Sequence, residues 1–171
     1  MTNRLTSLAG VLLFAALSAR AADGDYWLNL TLYPGWYGPA ALSRGPKETT
    51  FRAVHSQDEW NHLWGSLERN VVGPRADAPH VDFTRFTMVV AALGTRPTGG
   101  YTVSIQNARR EGSMVIVSVL EVRPHGKGCT VTDSLTYPIA IALIPQTDRA
   151  VRFEIESADL DCQSFKSVNS D

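Results

Sequence analysis

Met88-Val89-Val90-Ala91-Ala92-Leu93-Gly94-Thr95-Arg96-Pro97-Thr98-Gly99-Gly100-Tyr101-Thr102-Val103-Ser104-Ile105-Gln106 is the stretch on which the reading of the fold turns. Met88 to Leu93 is apolar at every position, so neither face is reserved for water. Such a run suits a central strand covered on both sides. Thr95 to Gly100 breaks it with one Pro and two Gly. Tyr101, Val103 and Ile105 then alternate with Thr102, Ser104 and Gln106, the period of a half-buried strand. Arg110-Glu111-Gly112-Ser113 reads as a hairpin turn, with Met114 to Val122 as the returning partner.

Working outward towards the C-terminus, Pro124-His125-Gly126-Lys127-Gly128 reads as a loop. Ile139 to Ile144 is a second strand apolar on both faces, with Pro138 tolerable at its first position. Val151, Phe153 and Ile155 alternate with Arg152, Glu154 and Glu156 in a closing strand after a turn at 146–149. Towards the N-terminus, Thr50 to Val54 is a short strand, and Ser56 with Glu59 three residues on is a capping box. Trp60, Leu63, Trp64 and Leu67 follow at i, i+3, i+4 and i+7, one apolar helical stripe that predicts a helix over 57–69. Its tryptophans are read as core rather than ligand-binding groups. Residues 70–80 read as a loop.

The expected fold is therefore mainly β (α+β): one domain of antiparallel strands, sandwich-like, with a single amphipathic helix packed on it. The expected divisions are 1–21, a signal peptide; 22–49, an aromatic N-terminal segment and linker; 50–156, the β domain; and 157–171, a polar tail. Within 22–49, Leu28, Leu30 and Leu32 alternate with Asn29 and Thr31 as a strand ended by Pro34-Gly35, and 38–49 reads as a linker. Tyr26, Trp27, Tyr33, Trp36 and Tyr37 are expected to cap the end of a core rather than to form a binding patch.

The first 21 residues carry Arg4, an apolar stretch from Leu8 to Leu17 and an Ala19-x-Ala21 site, the three parts of a secretory signal peptide. About ten apolar residues are too few to cross a hydrocarbon core that needs ~20. Export to the periplasm or medium as a soluble product, with no membrane span, is the expectation. A formal net charge of −1 and the absence of a Lys/Arg block exclude nucleic-acid binding through phosphate neutralisation. With 171 residues and 19% charged, the chain has the size and composition of one cored domain rather than a disordered segment. Its two cysteines, Cys129 and Cys162, suit one disulfide in an oxidising compartment, the alternative being two unpaired, inert thiols. A bridge closing that loop is worth ~3.7 kcal/mol in the chain-entropy model.

No catalytic constellation stands out. His55, His62, His80 and His125 form no H-E-x-x-H pair, no G-x-S-x-G elbow occurs, and Gly99-Gly100 lacks the form of a phosphate loop. No cofactor, metal or catalytic residue is expected, and an enzyme is the minority reading.

Val81-Asp82-Phe83, the strand Met88–Leu93 and the run from Gly94 to Ile105, with Gly128-Cys129-Thr130-Val131 and Thr136-Tyr137-Pro138 later, resemble the PrcB C-terminal domain family. The resemblance implies an exported accessory protein, since the family's namesake resembles a non-catalytic subunit that stabilises a surface protease complex. Arg96-Pro97-Thr98-Gly99-Gly100-Tyr101 is also similar to the N-P-T-T-G-Y/F loop of chagasin-like cysteine-protease inhibitors, and Arg123-Pro124-His125 to their R-P-W loop. That likeness implies direct inhibition as the alternative function.

Thr95, Arg96, Pro97, Thr98, Gly99, Gly100 and Tyr101 are accordingly the expected partner-binding loop. A plain connector explains the same residues: Pro97 suits a type I turn, and Gly100 can take φ > 0 before the strand. Arg96 is expected to reach solvent and Tyr101 to pack inward beside Val103 and Ile105.

Overall fold

Because Met88–Leu93 offers water nothing, its surroundings must cover both faces. In the computed structural model of the chain, which describes residues 26–28, 31–32, 42–69, 77–125 and 129–161, they do. In chain order the elements are β1 (Tyr26–Leu28), β2 (Thr31–Leu32), β3 (Leu42–Arg44), β4 (Thr50–Val54), α1 (Gln57–Ser66), β5 (Glu68–Arg69), β6 (Phe86–Ala92), β7 (Thr102–Glu111), β8 (Met114–His125), β9 (Ile139–Pro145) and β10 (Ala150–Asp161). Among the described residues, one sheet has the order β1-β7-β8-β10 and a second β2-β9-β6-β4, while β3 and β5 form a two-stranded ribbon.

Strand β6 sits between β4 and β9 and divides its side chains between two cores. Met88, Val90 and Ala92 join Ile139, Ile141 and Leu143 beneath α1, whose Trp60, Leu63 and Trp64 are buried there with Leu67. Val89 and Ala91, with Leu93 just beyond the strand, face the other way, onto Val103, Ile105, Ala108, Val115, Val117 and Val119 of the first sheet. The result is three layers: helix, sheet, sheet. The mainly β, sandwich-like fold with one packed helix is what the sequence predicts.

The helix begins where expected. Ser56 Oγ accepts from the Glu59 N–H at 3.2 Å, while the Glu59 carboxylate accepts from the His55 N–H at 2.8 Å, one residue before the cap. It ends earlier than 69, because Leu67 is extended (φ −90°, ψ 125°) and the chain turns into β5 to pair with β3. Leu67 is nevertheless buried, so the apolar stripe runs on past the helix end. Gln57 and Trp60 also fasten the following segment: Trp60 Nε1 donates to the Pro79 carbonyl at 3.0 Å, and Gln57 Oε1 accepts from the Val81 N–H at 3.0 Å.

Four further expectations are corrected. β10 runs parallel to β8, not antiparallel, because β9 between them in sequence belongs to the other sheet and returns the chain in the same direction. β10 also extends to Asp161, five residues into the expected tail, and Ile155 is 48% exposed, since the second sheet does not reach over it. Pro124 and His125 continue β8 rather than forming a loop. Finally, the alternating segment before Pro34 is split: β1 pairs with β7 in one sheet and β2 with β9 in the other, and β3 lies within the expected linker. The signal segment 1–21, and Tyr33, Trp36 and Tyr37, lie outside the described residues.

On the outer face of the first sheet, Arg109 Nη2 lies 2.9 Å from Glu154 and Arg152 Nη2 lies 2.7 Å from it. The hydrogen bond from Arg109 is the main cause holding the Glu154 carboxyl below the ordinary glutamate value. Ile116 stands between Arg109 and Arg152 in the ladder and is fully buried, covered by charged side chains whose stems are apolar.

Trp60 is fully buried, so Trp60→Ala is expected to destabilise the domain by roughly 3–5 kcal/mol. Loss of one helix cap in Ser56→Ala should cost about 1 kcal/mol. Urea titration of both variants measures the difference. Equal losses would contradict the placement of Trp60 at the centre of the helical layer.

Candidate functional site

The segment joining β6 to β7 leaves the buried core through Leu93, whose N–H donates to the Pro138 carbonyl at 3.0 Å. Gly94 then takes φ 77°, and a Cβ there would lie 2.7 Å from the Lys47 carbonyl oxygen, so only glycine fits. Thr95 donates to that same oxygen at 3.0 Å, and Thr49 Oγ1 donates to the Leu93 carbonyl at 2.9 Å. The start of the loop is thus clamped to the chain just before β4.

The remainder is clamped to the segment before β9. Arg96 and Thr136 exchange both backbone hydrogen bonds, at 2.9 and 3.0 Å. The Gly99 N–H donates to the Thr132 carbonyl at 2.9 Å, and Thr136 Oγ1 to the Thr98 carbonyl at 2.9 Å. Gly100 has φ 88°, as the connector reading expects, with Val131 and Pro124 side chains where a Cβ would stand. Two irregular segments therefore form one hydrogen-bonded unit at the end of the sandwich.

The side chains revise the expected roles. Arg96 does not present a free fork to solvent. Its Nη2 lies 3.0 Å from Glu121 Oε1, the two side chains being only 23% and 13% exposed. Its guanidinium also stands 5.6 Å from the Tyr101 ring centroid. Tyr101 precedes β7 and is half-buried beneath that cation rather than buried with Val103 and Ile105. The second Glu121 oxygen accepts from Ser157 Oγ at 3.2 Å, which ties the loop to β10. Arg96, Tyr101, Glu121 and Ser157 make one polar unit, and its charge is satisfied within the chain.

What the unit exposes is different. Pro97 and Gly100 are exposed, Thr95 and Thr98 half-buried, and Gly99 buried. Opposite them Thr132, Asp133 and Ser134 are exposed, and Leu135 is 62% exposed. The sequence reading passed over Leu135. Its only signal is an isolated apolar residue between Ser134 and Thr136, which cannot by itself reveal a surface position.

Nearby, Cys129 Sγ lies 3.7 Å from the Leu160 carbonyl oxygen near the end of β10. Cys162 is outside the described residues. His55, His62, His80 and His125 are all exposed, and among the described residues no three His, Cys, Asp or Glu side chains gather as a metal would require. A groove of about 530 Å³ opens between α1 and residues 77–80, lined by Gln57, Asn61, Trp64, Asp77 and His80 among others.

Residues 87–145 match the model of the PrcB C-terminal family. The match begins in β6 and ends with β9, so it takes in both segments of the loop unit and leaves α1 and β10 outside. The PrcB resemblance read from the sequence is thereby shown over this stretch. No curated protein and no solved structure matches the chain. The likeness to chagasin-like inhibitors finds no support here, and the Arg123-Pro124-His125 segment it invoked is a strand.

Removing Arg96 leaves a mostly buried Glu121 without its cation, so Arg96→Ala should lower stability by about 1–3 kcal/mol. In a double-mutant cycle with Glu121→Gln the two changes should couple by about 1 kcal/mol. Denaturant unfolding of the four proteins reads this out. Strict additivity would mean that the pair does not hold the loop.

Proposed function

We propose that this chain is an exported, non-catalytic protein-binding domain. It serves as an accessory or stabilising factor for an envelope or secreted protein. The observation that carries the reading is the match of 87–145 to the PrcB C-terminal model, whose stretch includes the loop unit. A protease is the partner class that the namesake's role favours. The physical support is pre-organisation. Segments 93–101 and 129–138 are held by backbone and threonine hydrogen bonds, so a partner meeting Pro97, Gly100 and Leu135 need not order a flexible loop. Arg96 and Tyr101 act as supports of that surface rather than as its contacts. Among the described residues no helix is long and apolar enough to cross a membrane.

Export and a Cys129–Cys162 bond belong to the same reading. The signal-type N-terminus supports the first. The approach of Cys129 Sγ to Leu160, two residues before Cys162, supports the second. Intact-mass measurement of protein recovered from the exported fraction should find a start at or near Ala22. The same measurement should find a mass two hydrogens below that of the reduced chain. A retained Met1, or two alkylatable thiols in the native protein, would contradict it.

Partner capture tests the binding surface. Leu135→Asp should abolish stoichiometric co-purification of the exported partner while leaving the melting temperature within a degree or so, as expected of an exposed position. If Leu135→Asp and Pro97→Asp both capture the partner as the unmodified protein does, the loop unit is a connector and the contact lies elsewhere.

A further inference from the structure

β10 is the last strand of its sheet, and over 150–158 no described strand pairs with its outer side. Natural sheets usually blunt such an edge with a bulge, a proline, a very short strand or charged side chains, lysine above all. β10 is long, keeps unbroken register with β8 from Ala150 to Asp161 and contains no Pro or Lys, and the charges over 152–156, Arg152, Glu154 and Glu156, are of both signs. Its side chains alternate. Val151, Phe153 and Ile155 lie on the face that continues the core, and Arg152, Glu154 and Glu156 on the other.

We propose that two copies of the chain pair along β10, antiparallel about a two-fold axis at Phe153, joining their four-stranded sheets into one. The register follows from self-complementarity. A two-fold axis perpendicular to the sheet keeps the apolar faces of both copies on one side only if a residue pairs with one of the same parity. With Phe153 opposite Phe153, Val151 stands opposite Ile155 and Arg152 opposite Glu154, each pair occurring twice. Centring on Ile155 would set Glu154 against Glu156 twice, and centring on Val151 would set Glu154 against Asp148. Centring on Glu154 would oppose that carboxylate to itself. Centring on Arg152 would oppose that cation to itself, and the Glu154-centred register, though it sets Phe153 against Ile155 and Arg152 against Glu156, does so around two opposed carboxylates. Of these registers the Phe153 one alone joins apolar to apolar and cation to anion with no like-charged pair, the pairings that stabilise antiparallel neighbours.

The exposed groups fit this occupant. Ile155, 48% exposed, gains a cover from the partner's Val151. Arg152 is 52% exposed and already reaches its own Glu154, so its remaining donors can meet the partner's Glu154 without dismantling the Arg109–Glu154 pair. An isologous contact of this kind closes on itself, so it yields a dimer and not a fibre.

Sedimentation velocity on the exported protein over a concentration series tests it with two single variants and their mixture. The unmodified chain should run at twice the monomer mass at high concentration. Arg152→Glu sets two acidic pairs across the axis and Glu154→Arg two basic ones, so each alone should dissociate more readily by about tenfold or more. Mixed in equal amounts, they should form a heterodimer, since every cross-axis pair is again opposite in charge. Variants that merely misfold would not recover on mixing. A monomer throughout the series, or variants that associate as the unmodified chain does, would overturn the proposal.

Discussion

Everything in this fold depends on β6 having two buried faces. A strand in that position contributes alternate side chains to two separate cores, and each core then requires its own lid. Met88 and Val90 demand the helix; Val89 and Ala91 demand the second sheet. β9 repeats the arrangement beside it, with Ile139 and Ile141 on one side and Ala142 and Ile144 on the other. A polar side chain at any of these positions would need a partner inside an apolar layer. Thr87 is the exception that illustrates the rule. It is fully buried, and its hydroxyl exchanges hydrogen bonds with the backbone of Thr147.

The loop unit is built on the same constraint. Leu93 and Pro138 leave β6 and enter β9 side by side, so the two irregular segments start in contact. They have only to exchange backbone bonds to become rigid. Their polarity comes from the backbone and from threonine, and the one strong charge pair, Arg96–Glu121, is turned inward. The outward surface is left small and mostly uncharged. Such a surface suits shape recognition better than electrostatic steering.

Local pattern made much of this legible, and distance in sequence hid the rest. The doubly apolar strands, the Ser56–Glu59 cap and the hairpin at Gly112 are each encoded within a few residues, and each is found. The direction of β10 is not encoded that way, because Val151-x-Phe153-x-Ile155 alternates identically in parallel and antiparallel pairing. The end of α1 escaped because Leu67 keeps the i+7 place of the apolar stripe and is buried although it already lies beyond the helix. Between Ile105 and Asn107 the ladder with β8 slips, so the inward positions change from 103 and 105 to 108, and no residue type announces it. At the site, the turn and the positive φ of Gly100 could be read from Pro and Gly. The destination of the Arg96 side chain could not, because its partner lies 25 positions away.

The parallel pairing of β8 with β10 has a consequence for how the chain acquires its structure during synthesis. The partners across that ladder lie 36 positions apart, with all of β9 inserted into the other layer between them. As the chain is made from its N-terminal end, the β7–β8 hairpin can close early. β8 then waits, one long edge bare, until the last strand has been translated. Such delayed long-range closure makes for slow folding and an interval open to aggregation. The time spent in that half-built sheet, rather than the final stability of the core, sets the period for which the nascent chain needs protection.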